Sequence, residues 1–388
     1  MLSCLRRAAL LITPFLLISA TSAQVVINEI FYRPGAGYPE NTSLEFIELH
    51  NPTDQLIDLS GWALTSGASF TMPGGTTITA GGYRVIAANP TLLQTTYGVS
   101  GVLGPWSDGA TLSNSGEKIA LSKPTLTGGA YEEVDATSYA SEGDWATRVR
   151  ETAFNGWDWS TPANGGNKSL ELRNPLLDND SGQNWSPSNG PLGATPGAQN
   201  TALTGNLPPI IRAVTHSPAL PKSTDEVTIS CRVTDESGLA FLTATLFWRD
   251  ATSATPGAFQ QQGMTNDGAD RFTATVGPKA NLAVVEFYVS VTDGVGTRTW
   301  PAPTSQGQNA NCQYQVTDEA LDPTAAYYFL VLTGAENAAY NAAAPADGPR
   351  SKNDRQFNTT LIVSNGNDTT VRHRSAIRFR GNSSRMYQ

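Results

Sequence analysis

The chain has few charged residues, three cysteines and three histidines, and each shortage excludes a class of protein. Only 15% of its 388 residues are charged. Beyond the first residues we find the i, i+3, i+4 apolar spacing of an amphipathic helix only over 322–341, which excludes a helical bundle. The 36 glycines and 24 prolines instead indicate short strands joined by many turns. The length predicts two or three domains.

Long apolar runs are also scarce, and the one at the start has the pattern of a signal peptide. Arg6 and Arg7 precede an apolar stretch over 8–18, and small residues follow up to Ala23. This stretch is too short to span a bilayer, and no later segment is apolar enough to do so. We therefore expect export, cleavage near Ala23 with 1–23 removed, and a secreted or cell-surface protein without a membrane span.

Cysteine and histidine are too sparse for a metal centre. After cleavage only Cys231 and Cys312 remain, in an oxidising compartment that permits a disulfide between them. The sequence leaves open whether they are bonded, because it does not place their Cα atoms within bonding range. The three histidines are scattered along the chain, so a zinc site is not predicted.

The mature chain is acidic, which argues against a nucleic-acid partner. Without Arg6 and Arg7 it has 23 basic residues against 34 acidic ones, a net charge of −11. General nucleic-acid binding needs a basic face. One local cluster of arginines departs from this balance: Arg372, Arg374, Arg378, Arg380 and Arg385.

Alternating apolar residues separated by glycine and proline turns predict a β-sandwich or barrel over 24–200. The predicted strands are 25–32, 44–50, 57–64, 83–88, 118–122, 134–139 and 169–173. Residues 44–46 and 47–49 alternate in opposite phases. A β-bulge, or a strand buried on both faces, explains this change of phase.

The order of motifs in this region resembles the lamin tail domain, an immunoglobulin-like β-sandwich known from nuclear lamins and secreted bacterial proteins. The motifs are INEI, EFIELHNPTDQLIDLSGWAL, PGGTTITAGGYRVIA, LSNSGEKIALSKP, SLEL and TPGAQN. The resemblance implies that Trp62 is a core residue and that Gly61 and Gly82 are turn positions. It also implies binding or anchoring rather than a known reaction.

A short linker, 201–206, leads to a second predicted β-domain over 207–317. Its predicted strands are 226–233, 242–248, 271–276 and 284–292, with DESG, TNDGAD and TDGVG turns between them. The pattern is similar to fibronectin type III-like and other immunoglobulin-like spacer domains, a class that many unrelated functions share.

The last segment, 318–388, is predicted to be an incomplete α+β unit. Residues 357–385 resemble the start of the spore-coat-protein-H-type (CotH) kinase-like domain. No carboxylate follows Asp368, so the metal-holding residues that phosphoryl transfer requires are missing. We therefore expect no enzymatic activity from this chain. The alternative is that it is the N-terminal fragment of a secreted CotH-like kinase whose catalytic lobe is missing.

Tryptophans are the candidate ligand-binding residues. Trp157 and Trp159 alternate within GWDW, which places them on one side of a strand, and Trp185 follows them in the same block. Exposed indoles stack on sugar rings, whereas buried ones only pack the core. We predict an exported binding or adhesion protein whose partner is an extracellular glycan or protein.

Two groups of acidic residues are candidates for a calcium site and for an acid–base site. Asp178 and Asp180 have the alternating oxygens of a calcium loop, but the bidentate acidic residue that should follow is absent, which favours a simple turn. Apart from calcium, we expect no cofactor. Glu29, Glu45 and Glu48 provide carboxylates for acid–base chemistry, but we expect them on solvated strand faces or as hydrogen-bonded edge residues.

Overall fold

The computed structural model describes residues 25–35, 40–106, 109–126, 128–150, 156–322, 324–347, 355–365 and 368–378. The predicted signal peptide, Arg380 and Arg385 lie outside these ranges. Within them the chain is mainly β, and its sheets are antiparallel, as the turn-rich composition predicts.

The first part of the chain forms an antiparallel sandwich. Its strands are β1 (Val26–Phe31), β2 (Phe46–His50), β3 (Ile57–Asp58), β4 (Ala63–Ser66), β5 (Phe70–Thr71), β6 (Thr77–Ile78), β7 (Tyr83–Ala87), β8 (Gly116–Pro124), β9 (Tyr131–Ala140), β10 (Thr147–Arg150), β11 (Trp157–Ser160), β12 (Leu170–Leu172) and β13 (Trp185–Pro187). One sheet has the order β13-β12-β1-β2-β7 and the other the order β5-β4-β8-β9. Apolar side chains from both sheets, among them Ile47 and Leu121, form one core. All seven predicted strands are present, although 57–64 is divided between β3 and β4.

Strand β2 is buried on both faces, which confirms one explanation of its change of phase. Ile47 joins the main core, whereas Phe46 joins a second cluster with Leu93 on the opposite side. A bulge is also present, but it lies between Ile27 and Glu29 in the pairing of β1 with β2.

A helix that was not predicted from the sequence covers this second cluster. Helix α1 (Pro90–Tyr97) begins after Asn89, whose side chain accepts a hydrogen bond from Leu92 N, and it ends at Gly98 with φ 69°. These cap residues are standard helix signals. The helix escaped prediction because eight residues are too few to display a clear apolar period.

The residues that the family resemblance singled out are placed largely as it implies. Trp62 is half-buried and packs against the core. Gly61 has φ 75°, a left-handed conformation that favours glycine. A Cβ on Gly82 would lie 2.4 Å from Thr79 Oγ1, so this turn also requires glycine.

The second part forms another sandwich with its own core. Its strands are β14 (Ile210–Ser217), β15 (Val227–Thr234), β16 (Thr243–Asp250), β17 (Gln260–Gly263), β18 (Thr265–Asn266), β19 (Arg271–Val276), β20 (Val284–Thr292), β21 (Thr297–Trp300) and β22 (Cys312–Gln315). The sheets have the orders β14-β15-β19-β18 and β17-β16-β20-β21, with β22 also paired to β20. The four predicted strands correspond to β15, β16, β19 and β20.

The third part is an α+β unit. It consists of β23 (Tyr327–Val331), α2 (Gly334–Asp347), β24 (Phe357–Ser364) and β25 (Thr369–Ile377), with sheet order β23-β24-β25. The helical spacing noted over 322–341 is thus only partly correct, because its first half contains a strand. Val331 and Ile362 of this sheet pack against Val284 of the second sandwich.

The hairpin formed by β10 and β11 connects the first part to the third. Trp157 and Gln356 exchange backbone hydrogen bonds of 2.7 and 2.9 Å. The first and second parts are also joined, since Gln183 exchanges hydrogen bonds of 2.9 and 2.7 Å with the backbone of Ile211. Neither α1 nor α2, nor any other helix in the described ranges, is long and apolar enough to cross a membrane.

Candidate functional site

Three glutamates lie side by side on the first sheet and are fully buried. Glu29 on β1 is directly opposite Glu171 on β12 and Glu48 on β2, so the three carboxylates share one face. Glu45, just before β2, is also buried. The prediction that Glu29, Glu45 and Glu48 lie on solvated faces is therefore wrong. Hydrogen-bonded glutamates are present, but β1 and β2 are interior strands of the sheet, not edges.

The segment 194–202 covers this face and donates hydrogen bonds to it. Thr195 N and Ser169 Oγ donate to Glu29 Oε1, at 2.9 and 2.5 Å. Gly197 N donates to Glu48 Oε2 at 2.5 Å. Bonds of this kind compensate a carboxylate for the water it loses on burial.

Glu171 receives the other donors of the same segment. Thr195 Oγ1, Thr201 Oγ1 and Ala202 N donate to its carboxylate at 2.9, 2.7 and 2.8 Å, and Ser188 Oγ donates at 2.5 Å. The TPGAQN motif thus begins with a residue that bridges two carboxylates. The cluster fastens this segment to the sheet, which is a structural role.

Burial changes the protonation of these groups. It raises the pKa of Glu29 to about 7, with the charge of Glu171 adding to the effect. Burial, followed by the charge of Glu29, raises the pKa of Glu48 well above its ordinary value. Burial raises the pKa of Glu45 to about 8.

Two of the three predicted ligand-binding tryptophans are buried. Trp157 is 2% exposed, and its Nε1 donates to Glu336 Oε1 of α2 at 2.9 Å. Trp185 is 6% exposed, and its Nε1 donates to Asn179 O at 2.7 Å. The prediction that Trp157 and Trp185 bind a ligand is therefore wrong. The third part of the chain covers Trp157, and the first sandwich itself buries Trp185.

The geometry also contradicts a calcium loop at Asp178 and Asp180. Asp178 Oδ2 accepts from Arg212 Nη1 at 2.6 Å, and its Oδ1 accepts from Asp180 N at 2.8 Å. The carboxylate is therefore used by an ion pair and a turn. Among the described residues no group of three or more His, Cys, Asp or Glu could hold a metal ion.

The disulfide left open by the sequence is not formed. Cys231 and Cys312 are buried free thiols. Cys231 pairs with Phe272 in one sheet of the second sandwich and Cys312 with Phe287 in the other, so both serve as apolar core residues. Burial raises the pKa of Cys231 to about 12 and also raises that of Cys312, which leaves both protonated.

A groove of about 570 Å³ lies where the three parts of the chain meet. Residues from β11, β21 and β25, together with those beside them, line it, including Trp159, Trp300, Gln356, Leu361, Arg372 and Arg374. Trp159 and Trp300 are both half-buried. Part of the surface of each indole is covered by other residues, and the rest is exposed in the groove. Of the predicted ligand-binding residues, Trp159 alone belongs to this groove.

Arg374 lies between the two indoles. Its Cζ is 5.8 Å from the ring centroid of Trp159 and 5.5 Å from that of Trp300, and its guanidinium forms an ion pair with Asp144. The pairing of β24 with β25 shifts register here, and Arg374 has φ 57°. A left-handed non-glycine residue in a bulge is costly and is often found at functional positions.

A buried arginine lies against Trp159. Arg148 Cζ is 4.8 Å from the ring centroid of Trp159. Its guanidinium donates to the Asn358 side chain and to Arg374 O, so neither partner carries a charge. Burial, with the charge of Arg374, lowers the pKa of Arg148 to about 10. Sequence reasoning did not select this residue, because more than 200 positions separate it from these partners.

Two of the histidines described as scattered are in contact, and one of them, His373, also lines the groove. His216 Nδ1 on β14 is 3.3 Å from His373 Nε2 on β25. His216 Nε2 lies 3.1 Å from Ala219 O, and His373 Nδ1 lies 3.1 Å from Thr360 Oγ1. Burial lowers the pKa of His216 to about 4 and, together with His216, lowers that of His373 well below its ordinary value. Both rings are therefore neutral at pH 7.

The fold and the site define a multi-part β protein with an immunoglobulin-like sandwich at its start, and a family match agrees with this. Residues 18–141 match the model of the Lamin Tail Domain family. The resemblance predicted from the motifs is thus confirmed for this region of the chain.

Other comparisons add little. No match was found among the curated proteins. Among solved structures, the chain is similar to the pullulanase from Bacillus acidopullulyticus at 10% identity and a TM-score of 0.18, with 76% of this chain and 37% of the pullulanase covered. The chain thus spans little more than a third of the enzyme's length, and so loose a superposition supports no inference about activity.

Proposed function

We propose that the protein is exported and works as a non-catalytic extracellular binding or adhesion module that holds a glycan in the groove between its three parts. The observation that carries this proposal is the pair of half-buried indoles, Trp159 and Trp300, on one open groove. Tryptophan offers a large flat apolar face, which suits the apolar faces of sugar rings. The immunoglobulin-like sandwiches support the proposal as rigid scaffolds, a common use of such domains.

The binding test uses an array of polysaccharides and the full chain. We expect Trp300→Ala to weaken glycan binding roughly tenfold, and Trp300→Phe to retain part of the affinity because it keeps an aromatic face. Tyr131→Ala serves as control, since Tyr131 is an exposed aromatic residue that does not line the groove. Unchanged binding by Trp300→Ala and Trp159→Ala, or no glycan bound at all, would contradict the proposal.

Export is supported by the basic, apolar and small-residue pattern of residues 1–23. Expression of the full gene in its own host should deliver a mature chain that begins at Gln24. Mass spectrometry of the culture fluid and of the cell-surface fraction measures this. An intact N-terminus confined to the cell interior would contradict export.

A second candidate function is phosphoryl transfer by a longer CotH-like kinase. It is favoured by the α+β arrangement of β23, α2, β24 and β25, which contains the segment that resembles such kinases. The test is to read the genomic DNA past codon 388. A reading frame that continues into acidic metal-binding motifs, with ATP binding by the longer product, would favour the kinase over the binding module.

A further inference from the structure

The charges around the groove do not cancel, and the excess is positive. Among the described residues, the guanidiniums of Arg148, Arg372 and Arg374 lie in or against the groove, together with the carboxylates of Asp144 and Glu142. Asp144 is already paired with Arg374. One positive charge is therefore left over, in a chain whose formal net charge is −9.

Arg372 presents this excess charge to solvent. Its side chain is exposed and lines the groove. Within the described part of the chain, its guanidinium has no hydrogen bond or ion pair, and only its backbone oxygen accepts a bond, from Ser375 Oγ. A guanidinium is a planar fork of donors that matches a carboxylate.

Arg148 adds a second, independent indication. It is 6% exposed and has only neutral hydrogen-bond partners, and its Nε has no partner among the described residues. The charges of Glu336 and Glu142 favour this cation, but no hydrogen bond to either carboxylate is seen among the described residues. The cost of burying the guanidinium is therefore only partly compensated. An anion in the groove that Trp159 lines would reduce that cost further.

We infer that the groove selects acidic sugars, with the carboxylate of a uronate residue on Arg372 and the sugar ring against the parts of Trp159 and Trp300 that Arg374 leaves uncovered. This inference rests on the proposed glycan binding and specifies its ligand class. Two aromatic rings alone would hold neutral sugars equally well. The charge arrangement is what distinguishes a uronate from its neutral counterpart.

The experiment compares two ligands that differ only in charge. Oligogalacturonate and its fully methyl-esterified form have the same rings and length, and their binding to the full chain is measured by calorimetry at low and high salt. We expect the free acid to bind at least about tenfold more tightly at low salt, and high salt to reduce this advantage. Arg372→Gln should weaken binding of the free acid much more than binding of the ester, whereas Arg372→Lys should retain part of the advantage of the free acid.

The control is Arg271→Gln, which removes an exposed arginine of β19 outside the groove and should change neither affinity. Equal binding of the two oligomers by the native chain would overturn the inference while leaving glycan binding intact. Equal loss of both ligands in Arg372→Gln would also overturn it, because Arg372 would then act only through the fold. Binding of neither oligomer overturns the inference as well, and the array of neutral glycans then decides the proposed function separately.

Discussion

Individual glutamates in the first sandwich are held in a state that is unusual for surface strands. Glu29, Glu48 and Glu171 lie opposite one another with no exposed surface, and their donors come mostly from backbone N–H and hydroxyl groups rather than cations. Since neutral donors compensate only part of a buried negative charge, the pKa of Glu29 and of Glu48 is raised. Protonation is therefore part of what stabilises this sheet.

This predicts a pH-dependent effect of Glu29→Gln. A carboxyl whose pKa is raised in the folded state contributes its full stability below the unfolded pKa, and this is lost as pH rises toward the folded pKa of about 7. The variant should match the native chain near about pH 4 and be more stable near about pH 8, by up to roughly 3 kcal/mol. Urea unfolding followed by tryptophan fluorescence measures the difference.

The matched control is Glu132→Gln, whose carboxylate is exposed and forms only a 3.6 Å pair with Lys123. Its difference from the native chain should stay flat over the same pH range. If the difference for Glu29→Gln is equally flat, Glu29 is ionised at little cost and the account of the cluster is wrong.

At the scale of elements, the segment 194–202 acts as a cover that three carboxylates, of Glu29, Glu48 and Glu171, fasten. Thr195 is its central attachment, because its Oγ1 lies within hydrogen-bond distance of both Glu29 and Glu171. Thr195→Val preserves shape but removes this hydroxyl, so it should lower the free energy of unfolding by about 1–3 kcal/mol. Thr195→Ser keeps the hydroxyl and should cost clearly less. Thermal melts of both variants test this, and equal losses would assign the effect to packing of the methyl group instead.

The strands of both sandwiches could be predicted because alternation and turn residues are local signals. β15, β16, β19 and β20 appear where the pattern places them. The cover over Glu29 could not be predicted, since Thr195 is 166 positions away and the bond depends on how the chain returns. The burial of Trp157 likewise depends on Glu336, 179 positions away. Alternation correctly placed Trp157 and Trp159 on one side of a strand, but it does not say what covers that side.

At the scale of the whole molecule, Glu336 joins the first and third parts. Its carboxylate accepts from Trp157 Nε1, Arg150 Nη2 and Asn358 N at 2.9, 2.7 and 2.7 Å. The second and third parts are joined differently, through the His216–His373 pair and the apolar cluster around Val284. The groove borders all three parts, so its shape depends on both junctions.

The histidine pair makes the second junction sensitive to acid. A histidine whose pKa is lowered by burial contributes stability above its ordinary pKa of 6.5, and this is lost as pH falls toward the folded value, about 4 for His216. Among the described residues, Thr360, Tyr314 and Phe287 contact the pair, and none of these three is a carboxylate that would favour the imidazolium.

We therefore expect the third part to loosen from the second between about pH 6.5 and about pH 4, with up to roughly 3 kcal/mol lost for His216 alone. Hydrogen exchange of the backbone amides in β24 and β25 at several pH values, corrected for intrinsic rates, measures this. His373→Phe removes one titrating ring from an aromatic site, so its exchange should vary less with pH. His50→Gln is the control, because His50 is also partly buried but lies in the first sandwich, against Tyr83. Loosening that persists unchanged in His373→Phe would assign the acid sensitivity to other groups.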